Sequence, residues 1–141
     1  MQLFERFKNK FVIGVSEARV PGAKKMIEDM DLDVLILDDA YQHRAIKPGL
    51  QILMTDYNDP YFKDYVLPAG DLRESRNGAS RAQIIMVSKC PAELTAEQKQ
   101  YYISRIKPRS DQKVFFSSIG YDENIYAHNQ FLPDNNLSYY D

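Results

Sequence analysis

The strongest constraint on the fold is a set of five short apolar runs that do not alternate between polar and apolar residues. They are Phe11-Val12-Ile13-Gly14-Val15, Val34-Leu35-Ile36-Leu37, Gln51-Ile52-Leu53-Met54, Ile84-Ile85-Met86-Val87 and Val114-Phe115-Phe116. A strand with one face in water alternates, whereas a continuous run belongs to a strand covered on both faces, as in a parallel sheet. Helical spacing separates the runs. Ala23, Met26, Ile27 and Met30 share one face, with Pro21-Gly22 before them and Asp29, Asp31 and Asp33 crowding the end. Ala92 to Ile106 is a second helix candidate, with Thr95 as N-cap, Gln98 as capping-box partner and Pro108 as the stop. Strand, helix, strand in that order implies right-handed crossovers. The fold class predicted is α/β, a mostly parallel sheet with flanking helices, in a single domain over residues 1–141.

Composition narrows the function classes. With 44% hydrophobic residues, 6 glycines and one cysteine in 141 residues, the chain can bury a core and is neither collagen-like, disordered nor a disulfide scaffold. Cys90 points to a reducing compartment and reads as a small buried side chain. A net charge of −2 argues against a broad basic surface, so no nucleic-acid partner is expected. The apolar runs fall far short of a membrane span, and the charged opening Met1-Gln2-Leu3-Phe4-Glu5-Arg6 predicts no signal peptide. From Asp56 to Arg81 the period is lost among Pro60, Pro68, Gly70 and Gly78, which reads as a functional loop. The last twenty residues, with Asn124, Asn129, Pro133, Asn135 and Asn136, read as a hairpin or meander.

The sharpest local feature is the run from Val34 to Leu37 ending in Asp38-Asp39. A buried strand of this kind puts carboxylates at the carboxyl edge of a sheet, where ligands bind in open α/β folds. In phosphoryl-transfer enzymes a carboxylate there holds Mg²⁺, and its neighbour can orient a nucleophile. Adjacent strand residues point to opposite faces, so Asp38 and Asp39 share a task only if the strand has already ended. The plain alternative is a turn capped by Asp39. Tyr41-Gln42-His43-Arg44 then brings an aromatic, an amide, an imidazole and a guanidinium close to the acidic pair, and imidazole can orient or bridge a carboxylate. His128 reads as solvated. In the long loop, Pro68 and Gly70 shape a turn whose backbone amides can approach an anion, and Arg73 offers a planar fork suited to phosphate. The alternative for Arg73 is an ion pair with Glu74 or Asp71. Arg19 and Arg76 are lesser phosphate candidates, for which a solvated surface arginine is the plainer reading.

Leu37-Asp38-Asp39-Ala40-Tyr41-Gln42-His43 resembles the Asp-Asp-Gly-Phe-Gln-His segment of the tetraacyldisaccharide 4'-kinases, the lipid A 4'-kinases of Gram-negative bacteria. Leu67-Pro68-Ala69-Gly70-Asp71-Leu72-Arg73-Glu74 is similar to that family's Leu-Pro-Ala-Gly-Pro-Leu-Arg-Glu segment. The two stand in the family's order with a strand ending in Asp56 between them, and Val15 to Arg19 sits where the family has a strand followed by an arginine. The resemblance covers roughly residues 10 to 90, and the paired motifs are far more specific than either alone. Ala40 stands for the usual glycine and Asp71 for the usual proline.

The resemblance implies a P-loop-kinase-like fold, ATP as co-substrate, Mg²⁺ as cofactor and a lipid A precursor disaccharide as substrate, at the cytoplasmic face of the inner membrane. It implies that Asp38 or Asp39 holds the metal in the manner of a Walker B carboxylate, that Gln42 and His43 organise that site, and that Arg19 and Arg73 contact phosphate. A P-loop needs Gly-x-x-x-x-Gly-Lys-[Ser/Thr], and the chain contains no Gly-Lys dipeptide. The family carries that loop, a membrane-associating amino-terminal helix and a catalytic aspartate upstream of the matched region. A catalytic histidine follows downstream, after a Gly-Ile-Ala-x-Pro segment. The expectation is therefore an incomplete sheet, a core fragment of a larger kinase, inactive alone and prone to self-association. Two other readings stand beside it. One is a non-catalytic α/β interaction module. The other is a metal-dependent phosphatase or nuclease in which Asp56 and Asp59 join the acidic strand end and Arg73.

Overall fold

The computed structural model describes residues 11–120, so the hairpin or meander expected near the carboxyl end, and His128 with it, lies outside the described residues. In chain order the elements are α1 (Arg19–Asp29), β1 (Ile52–Asp56), a 3₁₀ helix (Arg76–Arg81), β2 (Ile84–Cys90), α2 (Ala96–Ile106) and β3 (Lys113–Ser118). The three strands form one parallel sheet in the order β1-β2-β3. The α/β architecture with a parallel sheet and flanking helices is as expected.

The register explains which side chains make the core. Leu53, Ile85 and Val114 stand side by side across the sheet, and Thr55, Val87 and Phe116 form the next row on the same face. Against that face α2 lays Tyr102 and Ile106, four residues apart and therefore on one side of the helix. Phe62, Ala82 and Cys90 complete the buried cluster. Tyr102 is its centre. Its ring stacks on Tyr57 at 5.0 Å between centroids and meets Phe62 and Phe116 edge-on, while its hydroxyl donates to the Tyr57 carbonyl. Cys90 is the small buried side chain the sequence suggested, and burial pushes its thiol pKa up.

The second helix begins where its capping signal places it. The Thr95 hydroxyl accepts from the Gln98 amide at 3.2 Å, and the Gln98 side chain accepts from the Thr95 amide at 2.8 Å. It ends at Lys107, which adopts a left-handed conformation with φ 50° just before Pro108.

Two of the five expected strands are absent among the described residues. Residues 11–15 and 34–37 run without regular structure, and Val15, Val34 and Ile36 are 97%, 73% and 85% exposed. An apolar run supplies strand propensity, which is a weak and context-dependent preference that the surrounding structure can override. The idea that the strands are covered on both faces also needs correction. Ile52, Met54 and Phe115 point away from the core and are substantially exposed. Among the described residues the core lies on one side of the sheet. α1 covers little: Met26 is half-buried, whereas Ile27 and Met30 are exposed. Met26 lies over Gly14, where an added Cβ would come within 2.6 Å of its sulfur. Among the described residues no helix is long and apolar enough to cross a membrane.

Candidate phosphoryl-transfer site

The site forms where two distant segments meet. Residues 38–44 make a compact turn, closed by the His43 amide donating to the Ala40 carbonyl at 2.9 Å. Asp39 sits in the left-handed region at φ 44°, a conformation that the short polar Asp side chain tolerates better than most. The acidic pair therefore lies on a bend, outside any strand, and the rule of opposite strand faces does not separate Asp38 from Asp39.

The second segment is a loop held by its own acid. The Asp64 carboxylate accepts from the Tyr65 amide at 2.7 Å and from the Asp71 amide at 3.1 Å. The Leu72 amide donates to Tyr65 and the Leu67 amide to Leu72, so residues 66 and 72 pair as an isolated bridge around the cis Leu67-Pro68 peptide. Gly70 is required here, because a Cβ would come within 2.5 Å of the Tyr65 carbonyl oxygen. The amide of residue 71 is taken by an anion of the chain itself, the Asp64 carboxylate, and not by the ligand anion expected of this turn. Only a residue with an N–H at 71 can make that bond; the proline usual in the resembling segment lacks one.

The two segments are joined by an ion pair. Arg73 Nη1 donates to Asp39 Oδ2 at 3.1 Å across 34 residues of sequence. The alternative partners weighed for Arg73, Glu74 and Asp71, do not pair with it. Glu74 instead accepts from Arg81 at 2.7 Å. Arg81 also donates to the Tyr41 carbonyl at 3.1 Å and lies over the Tyr41 ring at 4.7 Å, while the Tyr41 hydroxyl donates to the Gly78 carbonyl at 2.8 Å. Burial, offset in part by Arg81, raises the Tyr41 pKa and keeps the phenol a donor. Arg81 thus clamps the acidic turn to the loop. Sequence reasoning missed it, since nothing local marks an arginine seven residues after Glu74 as its partner.

The remaining candidates divide. Gln42 and His43 are half-buried in the same turn as Asp39. Arg19 is not gathered in: its Nη1 donates to the Ser16 and Glu17 carbonyls, both at 3.0 Å. Arg76 donates to the Asp64 carbonyl at 2.6 Å and lies over the Tyr65 ring. Asp56 is committed to Lys89 at 2.7 Å, which lowers its pKa with help from the Asn58 amide. Among the described residues no three His, Cys, Asp or Glu side chains converge, so the phosphatase or nuclease reading gains no support from Asp56 and Asp59. Asp38 is exposed and makes no hydrogen bond or ion pair among the described residues.

Comparison with known proteins decides the lineage. The profile of the tetraacyldisaccharide-1-P 4'-kinase family matches residues 1–129. The chain belongs to that family. A tetraacyldisaccharide 4'-kinase of Flavobacterium johnsoniae is 40% identical over 127 residues, covering 89% of this chain and 37% of the relative. One from Flavobacterium psychrophilum is 37% identical over 139 residues, covering 96% of the chain and 40% of the relative. One from Cytophaga hutchinsonii is 45% identical over 93 residues, covering 65% and 26%. The chain thus spans at most 40% of the length of these three relatives. No solved structure matches it. Asp39 and Arg73 bring together the two segments on which the sequence resemblance to this family rests.

Proposed function

We propose that the protein containing this chain is an ATP-dependent kinase that phosphorylates the 4'-hydroxyl of a tetraacyldisaccharide 1-phosphate, a lipid A precursor. The observation that carries this reading is the Asp39–Arg73 contact, which puts an acid and a phosphate-type arginine from separate motifs at one place. The donor set suits Mg²⁺, a hard cation that takes one or two carboxylates and leaves its other positions to water and phosphate. Asp38 has its carboxylate free for it, and Asp39 keeps one oxygen beyond the Arg73 bond. Bound there, the ion would neutralise charge developing on the transferred phosphoryl group. Arg73 would exchange its carboxylate for phosphate of nucleotide or substrate, and Arg19 is a second phosphate candidate. Gln42 and His43 would hold the acidic turn in place. The sequence has no Gly-Lys cradle for a triphosphate, so ATP is held by parts of the protein outside this chain, and the chain alone is inactive. The same holds for attachment to the cytoplasmic face of the inner membrane, as a peripheral protein.

The test is transfer of the γ-phosphate to the disaccharide by the full-length protein. Asp38→Ala and Asp39→Ala are each expected to lower kcat on the order of 10²-fold or more, as removal of a preorganised electrostatic group does. Each should cost only about 1 kcal/mol of stability, since both residues are exposed. His43→Ala should slow turnover less, because it positions and carries no charge in the reaction. Normal turnover with a lowered Tm would overturn the assignment. Low-micromolar MgATP binding by this chain alone would overturn its inactivity.

A further inference from the structure

On the α2 side of the sheet lies an open cleft of about 560 Å³, and none of Arg19, Asp38, Asp39, Gln42, His43 or Arg73 lines it. Four of its lining side chains are cationic, Arg76, Arg105, Lys107 and Arg109, and no lining side chain is acidic. In a chain of net charge −2 this is a local concentration of one sign. The apolar side chains of Phe62, Ile85 and Ile106, all buried, form its floor.

The plain explanation is that cations at a helix carboxyl end complement the helix dipole. It accounts for Arg105 and Lys107, in the last turn and at the cap of α2. It does not account for Arg76, which arrives from the 3₁₀ helix of the long loop. Arg109 is spent on Asp111, which it grips with two hydrogen bonds of 2.9 and 2.7 Å. The other three have no carboxylate partner among the described residues. Arg76 donates its Nε to the Asp64 carbonyl and lies over the Tyr65 ring at 4.7 Å, which leaves its two Nη groups without a hydrogen-bond partner among the described residues. Arg105 lies at 5.9 Å from the Phe62 ring centroid. Lys107 is held at φ 50° by its own amide donating to Ile103, which fixes the root of its side chain at the rim. Gln112 ties the α2–β3 connection to the long loop by donating to the Ala79 and Ala82 carbonyls at 2.9 and 2.7 Å. The cations of the two segments are therefore held in one arrangement.

We propose that this cleft binds a phosphate group, the anion whose charge and several acceptor oxygens match two guanidinium forks and an ammonium. The phosphate can belong to a lipid headgroup or be free, and the proposal stands independently of the kinase reading.

The test uses the whole chain with two probes. The first is co-sedimentation with vesicles of phosphatidylglycerol mixed into phosphatidylcholine, against phosphatidylcholine alone. The second is calorimetric titration with inorganic pyrophosphate. Binding to the anionic vesicles is expected to weaken on the order of 30-fold in Arg105→Ala/Lys107→Ala, two cations being lost from near an anionic surface. Lys24→Ala/Lys47→Ala removes the same charge from exposed positions outside the cleft and should leave binding nearly unchanged. Vesicle binding without pyrophosphate binding identifies a headgroup. Pyrophosphate binding that the cleft variant abolishes identifies the phosphate itself. Equal losses in both double variants at a Tm matching the parent chain, or no binding of either probe by the parent chain, would overturn the proposal.

Discussion

At the scale of single residues, ion pairing decides which charges are free to act. Asp56 and Lys89 hold each other at the carboxyl ends of neighbouring strands, Lys89 at a left-handed φ of 56°. The hydrogen bond from Lys89 lowers the Asp56 pKa, and the same bond raises that of Lys89. Stability from the depressed acid is present above its unfolded value, about 3.9, and is lost as pH falls through the folded one. Stability from the raised base is present below about 10.4 and is lost as pH rises through its folded value. Asp56→Asn should therefore flatten the dependence of Tm on pH at both the acid and the alkaline limb. Melting curves across both limbs check it, and an unchanged profile would show that the pair contributes nothing to folding. The candidate site was legible at this scale only in part. Asp38, Asp39, Gln42, His43 and Arg73 stand out because their types cluster in short motifs. The Arg73–Asp39 and Arg81–Glu74 pairings did not, since a pair 34 residues apart and a neighbour seven residues on leave no local trace.

At the scale of elements, what was legible is what is local. α2 begins at its predicted cap because Thr95 and Gln98 satisfy each other's backbone amides without help from the rest of the chain. Thr95→Ala should cost about 1 kcal/mol, a fall in Tm of about 4 °C by thermal melting, and an unchanged Tm would show that packing of Tyr102 alone sets the helix start. The three strands were legible for a different reason. β2 sits between two partners, and its inward residues Ile85 and Val87 are almost completely buried, at 1% and 0%. Residues 11–15 and 34–37 are as apolar but form no strand among the described residues, so composition alone could not separate them from the real strands. The long stretch read as a functional loop does run mostly without regular structure, apart from the 3₁₀ helix at its end. Its inner anchor, Asp64, was not legible, because a carboxylate that caps two amides looks like any surface acid in sequence.

At the scale of the whole molecule, the unequal faces of the sheet set its solution behaviour. Among the described residues β1 is an edge strand, and Ile36, Val34 and Met54 leave 85%, 73% and 65% of their surface exposed. Open edges and apolar patches of this kind promote association. This chain in isolation is expected to sediment as a species larger than a monomer, with a distribution that depends on concentration; a single monomer across the concentration range would count against it. The one-sided core has a further consequence for cooperativity. The slope of unfolding free energy against denaturant follows the surface newly exposed when a chain unfolds. A sheet that already shows one face to solvent has less left to expose. Urea titration at a concentration low enough to keep the chain monomeric should therefore give an m-value below that of two-layered domains of the same length, and a broad transition with it. A steep transition would mean that the outer face of the sheet is sealed in solution, by this chain or by another copy.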